Sequence, residues 1–355
     1  MTDNIETPHF IFKEKKLEEN YREFEKLCEN HIGNYVIAYS IKTNGFGALI
    51  NKLHELGSNF EVASEEEIMK TPVKSKIFNG ASKTNEELKM AIEGKFLINV
   101  DSKSEIDKII RLLNGDSFNV SLRVSLEEGK FGFDVEKLEK AIDYCLMNNL
   151  KVIGLHFHPG TQKNFRHYGD YIKQVERVVA MVKGKIELKY LDIGGGFPDK
   201  NQLKNLGVSL EDYFKLISEL KKFNASIILE PGRCLVADAF ELITKVNVIK
   251  EKNGKNFAIL DAGINLLSKI TMASYWFEKV SVHGKEIRSA HTPLNGDHEK
   301  KNYILAGPLL FGNDVVGKFN GSLKEGDLLR VSNVGAYCFN LAWEISYRRP
   351  RVFTE

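Results

Sequence analysis

The chain has 355 residues, room for one large domain and a smaller one. Its 50 basic and 48 acidic residues leave a formal charge of only +2, which gives no electrostatic footprint for a nucleic-acid or polyanion partner. No apolar run approaches the roughly 18 residues of a membrane helix, and the opening segment MTDNIETPHF is too polar and acidic for a secretory signal.

Thr7–Phe12 reads as a short lone strand, and a charged helix follows from about Glu18 to Glu29. Then a repeating pattern begins. Apolar or β-branched runs occur at Tyr35–Lys42, Phe60–Ser64, Lys76–Gly80, Phe96–Asp101, Asn119–Ser125, Lys151–His158, Lys189–Gly195 and Ser226–Gly232, eight in all. Amphipathic helical stretches lie between them. In one, Ile106, Ile109, Ile110 and Leu113 fall on a single stripe. Its start is marked by Ser102 with Glu105 three residues on, a capping-box pattern that Thr84 and Glu87 repeat one unit earlier.

Eight strands alternating with helices over about 200 residues is the arithmetic of a (β/α)8 barrel. A doubly wound open sheet is the competitor, disfavoured because the count reaches eight without a mid-chain break. After Ala237 helical spacing fades. Short alternating runs at Glu241–Ile249, Phe257–Asp261, Lys301–Ala306 and Asp327–Val331 predict an antiparallel β domain, and the N-terminal strand is expected to join it because a barrel starting at Tyr35 has no place for it. The expected division is a barrel over residues 24–237 and a β domain from residues 1–23 and 238–355. Cys28, Cys145, Cys234 and Cys338 are widely scattered, which predicts free thiols in a reducing cytoplasm and argues against a zinc site.

In a barrel the active groups sit at the C-terminal strand ends, and phosphate is often held after strands seven and eight. Strand seven ends in Asp192-Ile193-Gly194-Gly195-Gly196. Alone, a glycine run can be only a tight turn. Strand eight ends in Glu230-Pro231-Gly232-Arg233, adding another glycine and a guanidinium suited to phosphate. The coincidence of both signals predicts a phosphate site. Strand six ends in His156-Phe157-His158-Pro159-Gly160-Thr161, where period two puts both imidazoles on one side. They can be wall packing or a metal pair, but no nearby carboxylate or cysteine completes a metal set, so an imidazole facing a planar ring fits better. Strand one ends in Lys42, and a lysine at the end of a buried strand is out of place unless it is paired or has a job. Lysine, a glycine-and-arginine phosphate grip and the Glu230 acid together suit pyridoxal phosphate, a cofactor that forms a Schiff base with lysine.

The chain also resembles the fold type III pyridoxal-phosphate-dependent decarboxylases, which include ornithine, diaminopimelate and arginine decarboxylases. The resemblance runs nearly end to end. It includes AYSIKTN at Ala38, GSNFEVASEEEI at Gly57, KFGFD at Lys130, GLHFHPGTQ at Gly154, LDIGGGFP at Leu191, EPGR at Glu230, DAGIN at Asp261, AGPLLFGND at Ala306 and GAY at Gly335. It implies an alanine-racemase-type barrel plus a C-terminal β domain in a head-to-tail homodimer with shared active sites. By motif position Lys42 would carry the cofactor as an aldimine, His158 would stack on its ring, and Glu230 would meet the ring nitrogen. Gly194, Gly195, Gly196, Gly232 and Arg233 would hold the phosphate with help from Thr161, and Tyr337 would reach the cofactor from the β domain. Glu61 and Glu67 fall where the family has acids near the lysine, and Arg123 falls on its Leu-Arg position.

One motif departs. The family has a cysteine and then an acidic or small residue where this chain has Leu310 and Phe311. In relatives that cysteine serves reprotonation and the acid recognises a distal amine, and neither leucine nor phenylalanine can do so. The expected substrate is therefore an amino acid or biosynthetic intermediate with a large, apolar or modified far end. Tyr337, Cys338 or water is left as proton source. Two other readings remain: a pyridoxal-phosphate racemase or epimerase on the same barrel, and a catalytically silent binding relative suggested by the missing cysteine.

Overall fold

A computed structural model describes residues 6–72, 76–161, 164–268, 273–283, 286–289 and 301–355. The chain divides into two compact units, one from Glu18 to Leu235 and one from the chain ends, through Leu17 and from Val236.

The first strand, β1 (His9–Phe12), belongs to the unit made by the chain ends. The central unit carries β2 (Tyr35–Ser40), β3 (Asn59–Val62), β4 (Ile77–Phe78), β5 (Leu97–Val100), β6 (Phe118–Ser125), β7 (Phe133–Asp134), β8 (Leu150–His156), β9 (Tyr190–Asp192) and β10 (Ser226–Leu229). The order β5-β4-β3-β2-β10-β9-β8-β6 is closed by pairing of β5 with β6, so eight strands form a ring. All these pairings are parallel, and closure excludes the open sheet. The short β7 lies outside the ring, beside β6.

All eight expected strands are present, but most are shorter at their C-terminal ends. The first stops at Ser40, and Lys42 sits in the 3-10 turn Ile41–Thr43. The sixth stops at His156 and the seventh at Asp192. There the backbone leaves the ladder to build loops, as where Ser40 N–H donates to the Pro231 carbonyl at 3.1 Å. The helices start as their caps predict, with one difference. Thr84 and Glu87 form a reciprocal capping box. Ser102 accepts from Glu105 N–H, but the Glu105 carboxylate turns inward to Lys83 at 2.8 Å. A buried ammonium needs a counter-charge more than a surface cap needs a second hydrogen bond.

The other unit carries β11 (Phe240–Lys252), β12 (Lys255–Leu260), β13 (Trp276–His283), β14 (Glu286–Ser289), β15 (Lys301–Ala306), β16 (Val315–Gly321), β17 (Leu328–Ser332) and β18 (Arg351–Thr354). They form one sheet in the order β14-β13-β17-β11-β12-β15-β16, with β1 antiparallel to β11 and parallel to β18. The sheet is mostly antiparallel, β12–β15 being a second parallel pair. Val246, Leu260, Tyr303, Leu305 and Leu329 build its core. The four expected runs are β11, β12, β15 and β17. Strands β16 and β18 escaped notice because neither has a fully buried residue, so period-two contrast is weak. Cys28, Cys145, Cys234 and Cys338 are free and buried. Among the described residues no helix is long and apolar enough to cross a membrane.

Candidate active site

The C-terminal ends of the barrel strands line a cavity of about 490 Å³. Lys42, Glu61, Asn79, Arg123, His156, His158, Thr161 and Glu230 face it. Sequence reasoning had placed five of these in the cofactor site on separate strand ends, and closure of the barrel brings them to one mouth.

A polar network runs beneath the cavity. Lys42 Nζ donates to Glu61 Oε2 at 2.6 Å, and Ser40 Oγ donates to the same oxygen. Asn79 Nδ2 donates to Glu61 Oε1 at 3.0 Å and to Glu230 Oε1 at 2.6 Å. Asn99 Nδ2 donates to Asn79 Oδ1 at 2.8 Å and to Asp192 Oδ2 at 2.9 Å. Asp192 Oδ1 in turn accepts from Gly194 N–H at 2.9 Å. One hydrogen-bonded chain therefore joins the lysine, both glutamates and the glycine loop. The network holds its members in place while leaving Asn99 Oδ1 and Glu230 Oε2 without a hydrogen-bond partner.

Burial sets the protonation states. Asp192 and Glu230 are both buried, with a carboxylate oxygen each within 4.8 Å of a His156 nitrogen. Burial and the neighbouring Glu230 charge push the Asp192 carboxyl well up. Burial also works to raise Glu230, but His156, Lys42 and His158 outweigh it and hold that carboxyl below the usual range. Like charges this close in a dry site separate in this way, one carboxyl keeping its proton and the other ionised. Burial lowers His156, and burial with Lys42 brings His158 down to about 3, so the His158 ring is neutral at ordinary pH.

The glycines have steric reasons. Gly194 has φ +64°, and a Cβ there would stand 2.7 Å from His158 Cδ2. Gly196 has φ +81°, and its Cβ would meet the Gly160 carbonyl at 2.7 Å. Side chains at Gly195 and Gly232 would strike the Glu230 carbonyl and Thr43. The glycine loops thus press against the histidine loop, the Glu230 turn and the lysine turn. Arg233 follows Gly232 with 5% of its surface exposed.

Several placements differ from the sequence reading. Carboxylates do approach the histidine pair, contrary to the spacing argument, because β8, β9 and β10 are neighbours and His156 pairs in register with Asp192. Glu67 caps the Ala63 N–H at 2.8 Å, and burial raises its carboxyl. Arg123 lies 3.7 Å from Asp101 with its guanidinium 4.3 Å over the Phe131 ring. Asn79, Asn99 and Asp192 were missed as site residues. The available signal was a polar residue just past a short buried strand at Asn79, and inside one at Asn99 and Asp192. Tyr337, in the other unit, starts the helix Cys338–Leu341 at φ +68°, a strained conformation for a bulky side chain.

Comparison with known proteins follows the same residues. The family model described as pyridoxal-dependent decarboxylase, pyridoxal binding domain, matches residues 14–237. A diaminopimelate decarboxylase of Aquifex aeolicus is 27% identical, over 97% of this chain and 85% of that protein. The crystal structure of diaminopimelate decarboxylase from Methanocaldococcus jannaschii superposes with a TM-score of 0.86 at 28% identity, covering 99% of this chain and 88% of the other. A lysine/ornithine decarboxylase of Vibrio vulnificus shares the fold, with a TM-score of 0.83 at 24% identity and coverage of 99% and 96%. With its barrel matched by the family model and its full length by decarboxylases, this chain belongs to the pyridoxal-dependent decarboxylases, carboxy-lyases that act on amino acids with pyridoxal phosphate.

Proposed function

We propose that Lys42 is the residue that binds pyridoxal phosphate covalently, and that the enzyme removes the α-carboxylate of an amino acid whose far end is apolar or chemically masked. The observation that carries the first part is the unbroken hydrogen-bonded path from Lys42 through Glu61 and Asn79 to Glu230.

The residues present fit the cofactor. Glu230 Oε2 is buried without a hydrogen-bond partner, a place that a ring N–H would satisfy. Gly194, Gly195, Gly196 and Gly232 carry no side chain where a phosphate would lie, and the buried Arg233 guanidinium supplies charge. His158, held by Gly160 N–H on Nδ1 at 3.0 Å, is neutral and offers a ring face. Thr161 lines the same cavity and adds a hydroxyl.

When bound, pyridoxal phosphate would supply an electron sink for the pair left by departing CO2. Glu230, held ionised, would keep the ring nitrogen protonated. Asn79 fixes that carboxylate, and Glu61 orients the Lys42 amine so that it can give way to the substrate's α-amine and move a proton at Nζ. The enzyme acts in the cytoplasm as a homodimer in which Tyr337 reaches the cofactor and Leu310 and Phe311 of one copy face the other copy's site. This arrangement is supported by likeness to the family. Leu310 is fully exposed, and Phe311 packs against Trp343 with ring centroids 6.1 Å apart, so this tip is apolar. It offers no counter-charge to a distal amine. A racemase or silent-binding role draws no support from relatives named as decarboxylases.

The names of the relatives favour a second reading, diaminopimelate itself as substrate. A panel assayed by mass spectrometry for loss of CO2 decides. Holoenzyme would meet diaminopimelate, lysine, ornithine and arginine beside Nε-acylated lysine and amino acids with apolar tails. Faster turnover of the acylated or apolar substrates is expected. Turnover of diaminopimelate above all others would replace the first reading by the second.

A further inference from the structure

Lys83 and Glu105 are not among the residues that line the cavity of Lys42. Both are buried, with 1% and 5% of their side chains exposed, and Lys83 Nζ lies 2.8 Å from Glu105 Oε1. A buried ion pair adds little stability over two well-packed apolar side chains. Its presence beside the catalytic end calls for another reason.

Geometry supplies one. An ammonium has three N–H donors. One meets Glu105, and the other two meet the carbonyls of Gly80 at 2.7 Å and Asn99 at 2.9 Å. Gly80 directly follows Asn79 and has φ +116°, where the chain turns away from β4. Pairing of β4 with β5 ends at Phe78 and Ile98. Asn79 and Asn99 each come one residue later, and there the Lys83 ammonium links the two chain segments instead. On the other side Asn79 N–H donates to the Val62 carbonyl at 2.9 Å, so the backbone around Asn79 is fastened to both β3 and β5. Glu105 extends the support. Its Oε2 accepts from Asp101 N–H at 3.2 Å, and the Asp101 carboxylate lies 3.7 Å from Arg123, which lines the cavity. Two apolar side chains could fill the same volume, but they could not donate to two carbonyls.

We propose that Lys83 is a positioning residue: it fixes the backbone that carries Asn79 and Asn99, and through Asn79 it aims Glu230 at the cofactor's ring nitrogen. This rests on the reading of Glu230 given above. Asn79 Nδ2 reaches Glu230 Oε1 at 2.6 Å and leaves Oε2 for the ring N–H. A loosened turn at Gly80 lets that amide drift, and the carboxylate it holds drifts with it.

Cofactor binding by the full chain tests this. Pyridoxal phosphate and its analogue with CH in place of the ring nitrogen are each titrated and followed by absorbance. The ratio of the two affinities reports the contact at the ring nitrogen, because both compounds carry the same phosphate and aldehyde. The parent should prefer pyridoxal phosphate, and Glu230→Ala should abolish the preference. Lys83→Met with Glu105→Leu should lower the preference about tenfold while melting close to the parent. Lys83→Met alone, assayed below its melting temperature, should show the same loss and keeps the test available should the double variant not fold. Leu138→Ala, which opens a cavity in the helix Val135–Met147, should melt lower yet keep the full preference. An unchanged preference in the Lys83 variants, with loss in Glu230→Ala, overturns the positioning role and leaves that of Glu230 standing. No preference in the parent, or an unchanged one in Glu230→Ala, removes the reading of Glu230 and this inference with it. A loss in Leu138→Ala equal to that of the Lys83 variants traces the effect to lowered stability and also overturns the proposal.

Discussion

The two mouths of the barrel are made by the same strands and differ in almost every physical respect. At the C-terminal mouth, carboxylates, amides and imidazoles are buried together, and most find partners within the group. At the N-terminal mouth, Val36, Ile77, Leu97, Tyr190 and Ile228 close the interior around an apolar plug, and the charged lining groups among the described residues are lysines. The strands are short, so the transition takes two residues: Ile77 to Asn79 and Ile228 to Glu230. One end spends burial on packing, and the other holds polar groups where chemistry needs them. The contrast teaches that catalytic polarity here is supported by cross-strand hydrogen bonds, not by the apolar core beneath it.

That contrast can be broken by removing polar groups from the catalytic end. Lys83 should matter most. It is buried, donating to Glu105 at 2.8 Å and to the carbonyls of Gly80 and Asn99. Lys83→Met should cost about 3–5 kcal/mol in chemical denaturation, because it strands a buried carboxylate. The double variant with Glu105→Leu should recover most of that. A single variant as stable as the parent would show that the pairing is dispensable.

Glu230→Gln should lower kcat about 10²–10³-fold, the usual cost of removing a preorganised group that faces developing charge. The hydrogen bond to Asn79 can persist, so stability should change little. Equal loss in KM and kcat-neutral behaviour would argue against a role in the chemistry. Asn79→Ala should destabilise by about 1–3 kcal/mol, since it leaves oxygens of Glu61 and Glu230 without a donor. An analogous change at Ile77 would act through a cavity instead, with no shift in the pH dependence of activity.

The smallest effect is a slope. An unfolded histidine binds its proton near its ordinary pKa of 6.5, whereas burial and Lys42 hold folded His158 down to about 3, and His156 is lowered too. The unfolded state thus takes protons first as pH falls. Stability from these two groups is fully present above pH about 6.5 and is lost as pH drops from there toward 3. The melting temperature of cofactor-free protein should decline across that window, and His158→Asn should flatten part of the decline.

Much of the site was legible because its signals are local. The glycine run after Asp192, the Glu230-Pro231-Gly232-Arg233 turn and Lys42 each sit within a few residues of a strand end, and the count of eight strands told where they meet. Asn79 and Asn99 were not legible, because their meaning lies across strands: Asn79 binds residues 18 and 151 positions away. Asp192 was hidden for the same reason, looking like the start of a glycine turn while its carboxyl joins Asn99, 93 positions distant. The weak edge strands β16 and β18 were lost to exposure, which erases the alternation that marks a strand.

The most direct test of the central claim is chemical. Purified protein loaded with pyridoxal phosphate is reduced with borohydride, digested and mapped by mass spectrometry. A pyridoxyl group on Lys42 is the predicted result, with none in Lys42→Ala. Labelling of another lysine, or no uptake of the cofactor at all, would contradict the account.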